Sequence, residues 1–253
     1  MALYTTIHLH NVPAGREDDY ARWFDGPHRA ALAGLRGFIA ADRFAVTPQQ
    51  IMGDIPQPWR FLSVYDLDLP DPKIHLPALG PLIADARDAG LVADDATERL
   101  YSYAMYSGWK GSANWRTDEP LSGVSIILAN FIPGREAEYH TWYDDVHSVE
   151  VSAVPGHVAM RRGRLADLQI EPKHHCPGDQ LVLCAQQTDD LLFTVRDFSA
   201  RARGVSPSGL AMAPRSSSGS TARTVHYFGK VSGDRFWAGG VAYAGDLSVY
   251  PEA

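Results

Sequence analysis

The segment Asn11-Val-Pro-Ala-Gly-Arg-Glu-Asp-Asp-Tyr-Ala-Arg-Trp-Phe-Asp-Gly-Pro-His28 returns without a gap as Asn130-Phe-Ile-Pro-Gly-Arg-Glu-Ala-Glu-Tyr-His-Thr-Trp-Tyr-Asp-Asp-Val-His147. The offset is 119 positions (130 minus 11), and eight of the eighteen positions are identical: Asn, Gly, Arg, Glu, Tyr, Trp, Asp and His. The same offset aligns Gly37 with Gly156, Arg43 with Arg162, and Arg60–Leu67 with Asp179–Gln186. A repeat this long restricts the chain to folds built from two related halves.

With 253 residues and 45% hydrophobic content, each half can bury a core. A net charge of -7 and a pI near 5.8 lack the basic surface that nucleic acid or anionic membranes attract, so neither is an expected partner. The opening residues show no secretory signal pattern, no apolar run is long enough to span a bilayer, and two cysteines make no disulfide framework. The expectation is a cytoplasmic protein.

Residues 4 to 11 alternate as a strand, with Thr6, His8 and His10 on one face; the second copy, 124–130, is more apolar. The repeated segment then reads as an amphipathic helix whose stripe holds Tyr20, Trp23, Phe24, Pro27 and His28, or Tyr139, Trp142, Tyr143, Val146 and His147. Gly26-Pro27 predicts a kink or stop in the first copy alone. A turn and second strand follow, then a Pro/Gln/Gly-rich loop, a third strand, a helix capped by Asp71 or Asp190 and ended near Gly90 or Gly204, and a fourth strand. An insert at 205–220, rich in Ser, Gly and Pro, reads as a mobile loop.

Each half is therefore β-α-β-β-α-β. The expected fold class is α+β: two tandem ferredoxin-like repeats packed sheet to sheet as an intramolecular α+β barrel, with a small-molecule pocket between the sheets. The expected boundaries are 1–107 for the first repeat, 108–121 for a linker, 122–233 for the second repeat, and 234–253 for a C-terminal tail.

The pattern Tyr-x-x-Trp-[Phe/Tyr]-Asp-x-x-His followed by Gly-[Phe/His] comprises Tyr20, Trp23, Phe24, Asp25, His28, Gly37 and Phe38, and again Tyr139, Trp142, Tyr143, Asp144, His147, Gly156 and His157. In this it resembles the dimeric α+β barrel superfamily and its EthD-like branch, over roughly 5–107 and 122–229. The resemblance implies that fold and leaves the activity open among lactone isomerases, polyketide cyclases, cofactor-free monooxygenases and haem proteins, because fold alone does not choose a reaction.

Imidazole exchanges protons near neutrality, so His28 and His147 are candidate catalytic groups; the structural alternative is a histidine that fixes the helix end. His8 and His10 join them, because copy one is polar where copy two has Ile127 and Ala129. Trp23, Tyr65, Tyr103, Tyr139, Trp142 and His226 are the expected substrate-binding residues, although an aromatic stripe at helical spacing is ordinarily core. His174-His175-Cys176 lacks the spaced second ligand pair of a zinc site, so no metal is expected. No nucleotide or hydrolase fingerprint occurs in a fitting context. The expectation is a cofactor-independent isomerase, cyclase or lyase working by His/Tyr acid-base catalysis on a small aromatic or polyketide-like molecule. The alternatives are a cofactor-free monooxygenase of a phenol and a non-catalytic binding protein. Haem stays open, as does the choice between monomer and homodimer.

Overall fold

The computed structural model describes residues 2–48, 50–51, 57–93, 96–172, 176–214 and 218–230. The chain has the expected α+β, tandem ferredoxin-like fold. It forms two compact units: Met1–Val46 with Gln57–Gly108 and Gly163–Cys176, and Thr47–Pro56 with Trp109–Arg162 and Pro177–Ala253. The long loops of the two repeats are thus exchanged. Gln50 donates to the Tyr227 carbonyl in the second unit, and Gln169 donates to the Ser102 carbonyl in the first.

In the first unit the elements are β1 (Ala2–His10), α1 (Glu17–Trp23), α2 (Arg29–Ala33), β2 (Phe38–Val46), β3 (Phe61–Leu69), α3 (Pro72–His75), α4 (Leu79–Asp88) and β4 (Arg99–Met105). The strands run β4-β1-β3-β2, with antiparallel partners at every pairing. The second unit repeats the plan with β5 (Lys110–Gly111), β6 (Gly123–Phe131), α5 (Glu136–Thr141), α6 (Ser148–Ser152), β7 (His157–Leu165, of which 157–162 belong here), β8 (Gln180–Gln186), α7 (Leu191–Ala202) and β9 (Ser220–Lys230). Its strand order is β9-β6-β8-β7-β5.

The residues shared by both copies hold this plan together. Asn11 and Asn130 each accept the backbone N–H that opens the third strand, from Arg60 and Asp179, and donate to the carbonyls of Pro58 and Pro177. Asp25 and Asp144 receive Arg43 and Arg162 at 2.7 and 2.6 Å, which fastens each helix to the second strand of its own repeat. The histidines do not make these carboxylate contacts. Asp71 and Asp190 cap their helices as expected, accepting from Lys73 N and Phe193 N, and Gly90 and Gly204 close theirs at φ of +64° and +69°.

The expected kink at Pro27 is instead a π-helical turn, and both copies have it: Phe24–His28 and Trp142–His147. Five-residue spacing across such a turn suits proline, whose missing N–H breaks the ordinary ladder. It also moves positions 27 and 146 off the apolar stripe, so Pro27 and Val146 are exposed. Trp23 and His28, five residues apart, come face to face at 4.1 Å, and Trp142 and His147 do so at 4.2 Å. A regular α-helix would put such residues on different faces.

The insert is not a loose loop along its described length. Met212 packs against the second core, and its N–H donates to the Arg201 carbonyl at 3.1 Å. His174, His175 and the aromatic residues of the expected tail, Phe236, Trp237 and Tyr243, lie outside the described residues.

Candidate active site

Strand register decides which side chains meet the helices. In the second unit Ile127 pairs with Val182 and Val225, and Ser125 pairs with Cys184 and Tyr227. These six face Tyr143, His147 and Val151, together with Phe198 and Ala202 of α7. Between the two layers is a cavity with about 450 Å³ of atom-free space, solvent at its edge included, which Ile51 also lines. The described cavity is therefore between sheet and helices.

His147 forms part of its wall and is 5% exposed. One ring face stacks on Trp142, while Tyr143 and Phe198 meet the ring edge-on at 5.4 and 6.2 Å. Its Nδ1 lies 3.2 Å from Glu150 Oε2. A carboxylate only accepts, so Nδ1 carries a proton and donates it to Glu150. Glu150 is itself held by the N–H of Ala213, from the insert. On the far side, His157 Nε2 is 3.4 Å from the Tyr227 hydroxyl. Burial, with the nearby His147 adding to it, pushes the His157 pKa down to about 3.

In the first unit Tyr65 occupies the position of Cys184. Its hydroxyl lies 3.2 Å from His28 Nε2, and both residues are buried. Burial and then His8 lower the His28 pKa to about 4, against a small opposing effect of the Leu82 backbone. His8 and His10 face Tyr20 on the helix side, since His8 pairs with Ser63 and Ser63 meets the Tyr20 hydroxyl at 2.8 Å. They belong to a buried polar cluster. His8 Nε2 is 2.6 Å from Glu98, Arg87 reaches Glu98 at 2.8 Å and Glu171 at 2.6 Å, and His10 stacks on His8 at 4.3 Å. Burial holds the His10 pKa well below its ordinary 6.5. The polar groups that set copy one apart are thus engaged with one another.

Of the four histidines expected to be catalytic, only His147 lines the cavity. None of the expected substrate-binding residues lines it. Trp23 and Trp142 back the histidines, Tyr139 is core, and Tyr65 fills the first unit. Tyr103 faces away from the helices and meets Cys176 Sγ at 3.0 Å. His226, which pairs with Ile126, also faces away from the cavity, since side chains alternate along a strand. Sequence reasoning missed Glu150, Cys184, Tyr143, Tyr227 and His157 as site residues. Their counterparts are Ala31, Tyr65, Phe24, Ser102 and Phe38, so the signal was in the repeat alignment: a carboxylate three residues past one histidine only, and a lost ring at 184.

Among the described residues no cluster of His, Cys, Asp and Glu is placed to hold a metal ion. Haem does not suit the cavity. His147 can offer an axial nitrogen, but the lining has no arginine or lysine for two propionates. No helix among the described residues is long and apolar enough to cross a membrane.

The two β-α-β-β-α-β repeats give the chain a fold of the dimeric α+β barrel type. No protein-family model matches the sequence, and no curated protein sequence matches it. It is similar in fold to a solved structure named "putative monooxygenase" from Lactobacillus acidophilus NCFM, with 8% identity and a TM-score of 0.56, over 90% of this chain and 93% of that one. A protein of the same name from Fusobacterium nucleatum subsp. nucleatum gives 8% identity and a TM-score of 0.52, over 91% and 93%. An anthrone oxidase-like protein gives 11% and 0.49, over 97% of each chain, a likeness too slight to build on. At these identities the likeness shows the fold alone.

Proposed function

We propose that this protein is an oxidoreductase of the EthD-like branch that oxidises a small phenol with molecular oxygen in the cavity of its second repeat. The observation that carries the reading is His147: a buried imidazole with Nδ1 fixed by Glu150, at the wall of an apolar space bounded by Tyr143 and Tyr227. The monooxygenase names of the two similar structures favour oxygen chemistry over the isomerase, cyclase or lyase expected first.

His147 Nε2 takes the phenol's proton, with Glu150 stabilising the imidazolium. The phenolate is electron-rich at the carbon para to its oxygen, where O₂ forms the new C–O bond. Loss of the ring hydrogen and cleavage of O–O then release water and leave a quinone. For 1-naphthol the balance is naphthol + O₂ → 1,4-naphthoquinone + H₂O, with all four electrons supplied by the substrate. The apolar walls exclude water from the reactive anion.

The test is oxygen uptake with 1-naphthol and related phenols, paired with the absorbance of the quinone. Stoichiometric uptake that disappears in His147→Ala supports the reading. Equal turnover under anaerobic conditions, or a Soret band in the purified protein, overturns it. Binding of phenols without any turnover would point to the non-catalytic alternative.

A further inference from the structure

We infer that the Ser125 hydroxyl donates a hydrogen bond to the substrate's oxygen, so that the cavity selects hydroxyarenes over hydrocarbons of the same shape. This role rests on the proposed use of the cavity and adds the contact that anchors the substrate there.

Ser125, on β6, lines the cavity and is 1% exposed. Beside it is the amide of Gln186, on the neighbouring strand β8. Gln186 Nε2 is 2.9 Å from the Cys184 carbonyl and 3.4 Å from Ser125 Oγ. A carbonyl only accepts, so the amide atom facing Cys184 is the nitrogen, and the same nitrogen donates to Ser125. Gln186 Oε1 has no hydrogen-bond partner among the described residues, so it takes no proton from Ser125. The serine therefore accepts from Gln186 and keeps its own proton, for which the described residues place no acceptor within reach. A buried hydroxyl in this condition is unsatisfied until the cavity holds something that accepts.

Comparison of the repeats carries the point independently. The first repeat has Thr6 at the position of Ser125 and Ser102 at that of Tyr227, and those two hydroxyls bond to each other at 2.8 Å. In the second repeat Tyr227 stands in place of that partner, and Gln186, in place of Leu67, supplies a donor and not an acceptor. The other polar side chains at the wall, Tyr143, His147, Cys184 and Tyr227, interact with the protein itself. A phenol that loses its proton leaves a negative oxygen in a largely apolar space, where an unpaired charge is costly. A donor fixed in advance on the sheet stabilises that oxygen without reorganisation, and Ser125 is in place to be that donor.

The probes are 1-naphthol and naphthalene, titrated under argon so that no turnover intervenes. Ser125→Ala should weaken 1-naphthol binding by about tenfold, the worth of one well-placed hydrogen bond, while naphthalene binding stays unchanged. It should also raise the pKa of bound 1-naphthol, read from the absorption of its anion, by about one unit. Ser125→Thr, which carries the residue of the first repeat, should keep the wild-type preference for the naphthol and its pKa. If Ser125→Ala weakens both compounds equally, or leaves the affinity and the pKa of bound 1-naphthol unchanged, the role of Ser125 is refuted and the oxidase reading stands. If the serine controls naphthol binding but no oxygen is consumed on aeration, the binding role holds and the oxidase reading fails. If neither compound binds, both fail together.

Discussion

The helix-facing sides of the two repeats differ at one position: Tyr65 projects into the first, and in the second Cys184 stands in its place and lines a cavity. Both keep the Trp-over-His stack across a π-helical turn and the Asp–Arg clamp to the neighbouring strand. In the first, Tyr65 closes on His28, and His8, His10 and Glu98 form a sealed polar cluster. In the second, Cys184 and Ile127 leave room, and His147 turns to Glu150. The two copies share a scaffold and differ in side-chain volume at this position. An imidazole alone does not make a site; it also needs space in front of it and a partner behind it.

The largest expected effect tests that contrast directly. His147→Ala should lower turnover by about 10² to 10⁴-fold, the usual worth of a general base, while His28→Ala leaves turnover close to wild type. Equal losses at the two histidines in steady-state assays would erase the distinction between the repeats. Next, Tyr65→Cys should destabilise the protein by roughly 3–5 kcal/mol in urea unfolding, because it opens a cavity and strips His28 of its partner. A loss below 1 kcal/mol would mean that the first unit is not filled as described.

The reciprocal change, Cys184→Tyr, should place a ring in the second cavity and weaken phenol binding by roughly a hundredfold in titration calorimetry, with the fold retained in circular dichroism. Unaltered affinity would place the ligand elsewhere.

A smaller effect concerns pH. His28 and His226 have pKa values lowered to about 4 by burial, and His157 to about 3, from an ordinary 6.5. Between those values the unfolded chain binds protons that the folded chain refuses. Stability is therefore fully present above pH 6.5 and falls as the pH drops toward 4, by at most about 1.4 kcal/mol per pH unit for each histidine. His28→Phe should flatten the first unit's part of that slope in unfolding series at pH 7.5, 6 and 5; an unchanged slope would show His28 to be protonated in the native state. Smallest of all, Glu138→Ala should leave the melting temperature unmoved, because the Arg135–Glu138 pair is exposed to solvent.

Much of the architecture was legible from the repeat. The offset of 119, the helix caps at Asp71 and Asp190 and the closing glycines depend on local chemistry, and local chemistry is written in neighbouring residues. His147 was legible as a candidate, but so were His8, His10 and His28, which are buried and engaged with neighbouring side chains. The copies differ in polarity at His8 and His10 and in volume at Tyr65 and Cys184, and only the second difference borders the described cavity. Glu150 against Ala31 and Cys184 against Tyr65 were the informative pairs.

The sequence by itself determined a duplicated β-α-β-β-α-β chain, the turns that begin and end its elements, and the aromatic-histidine segment common to both halves. The tertiary structure alone decided which face of each strand meets the helices, where the π-helical turns bring Trp and His into contact, and that a cavity lies beside Cys184. A cavity is a difference between the volume that several elements enclose and the volume their side chains fill. That difference belongs to no single stretch of chain, so no local pattern could show the cavity beside Cys184.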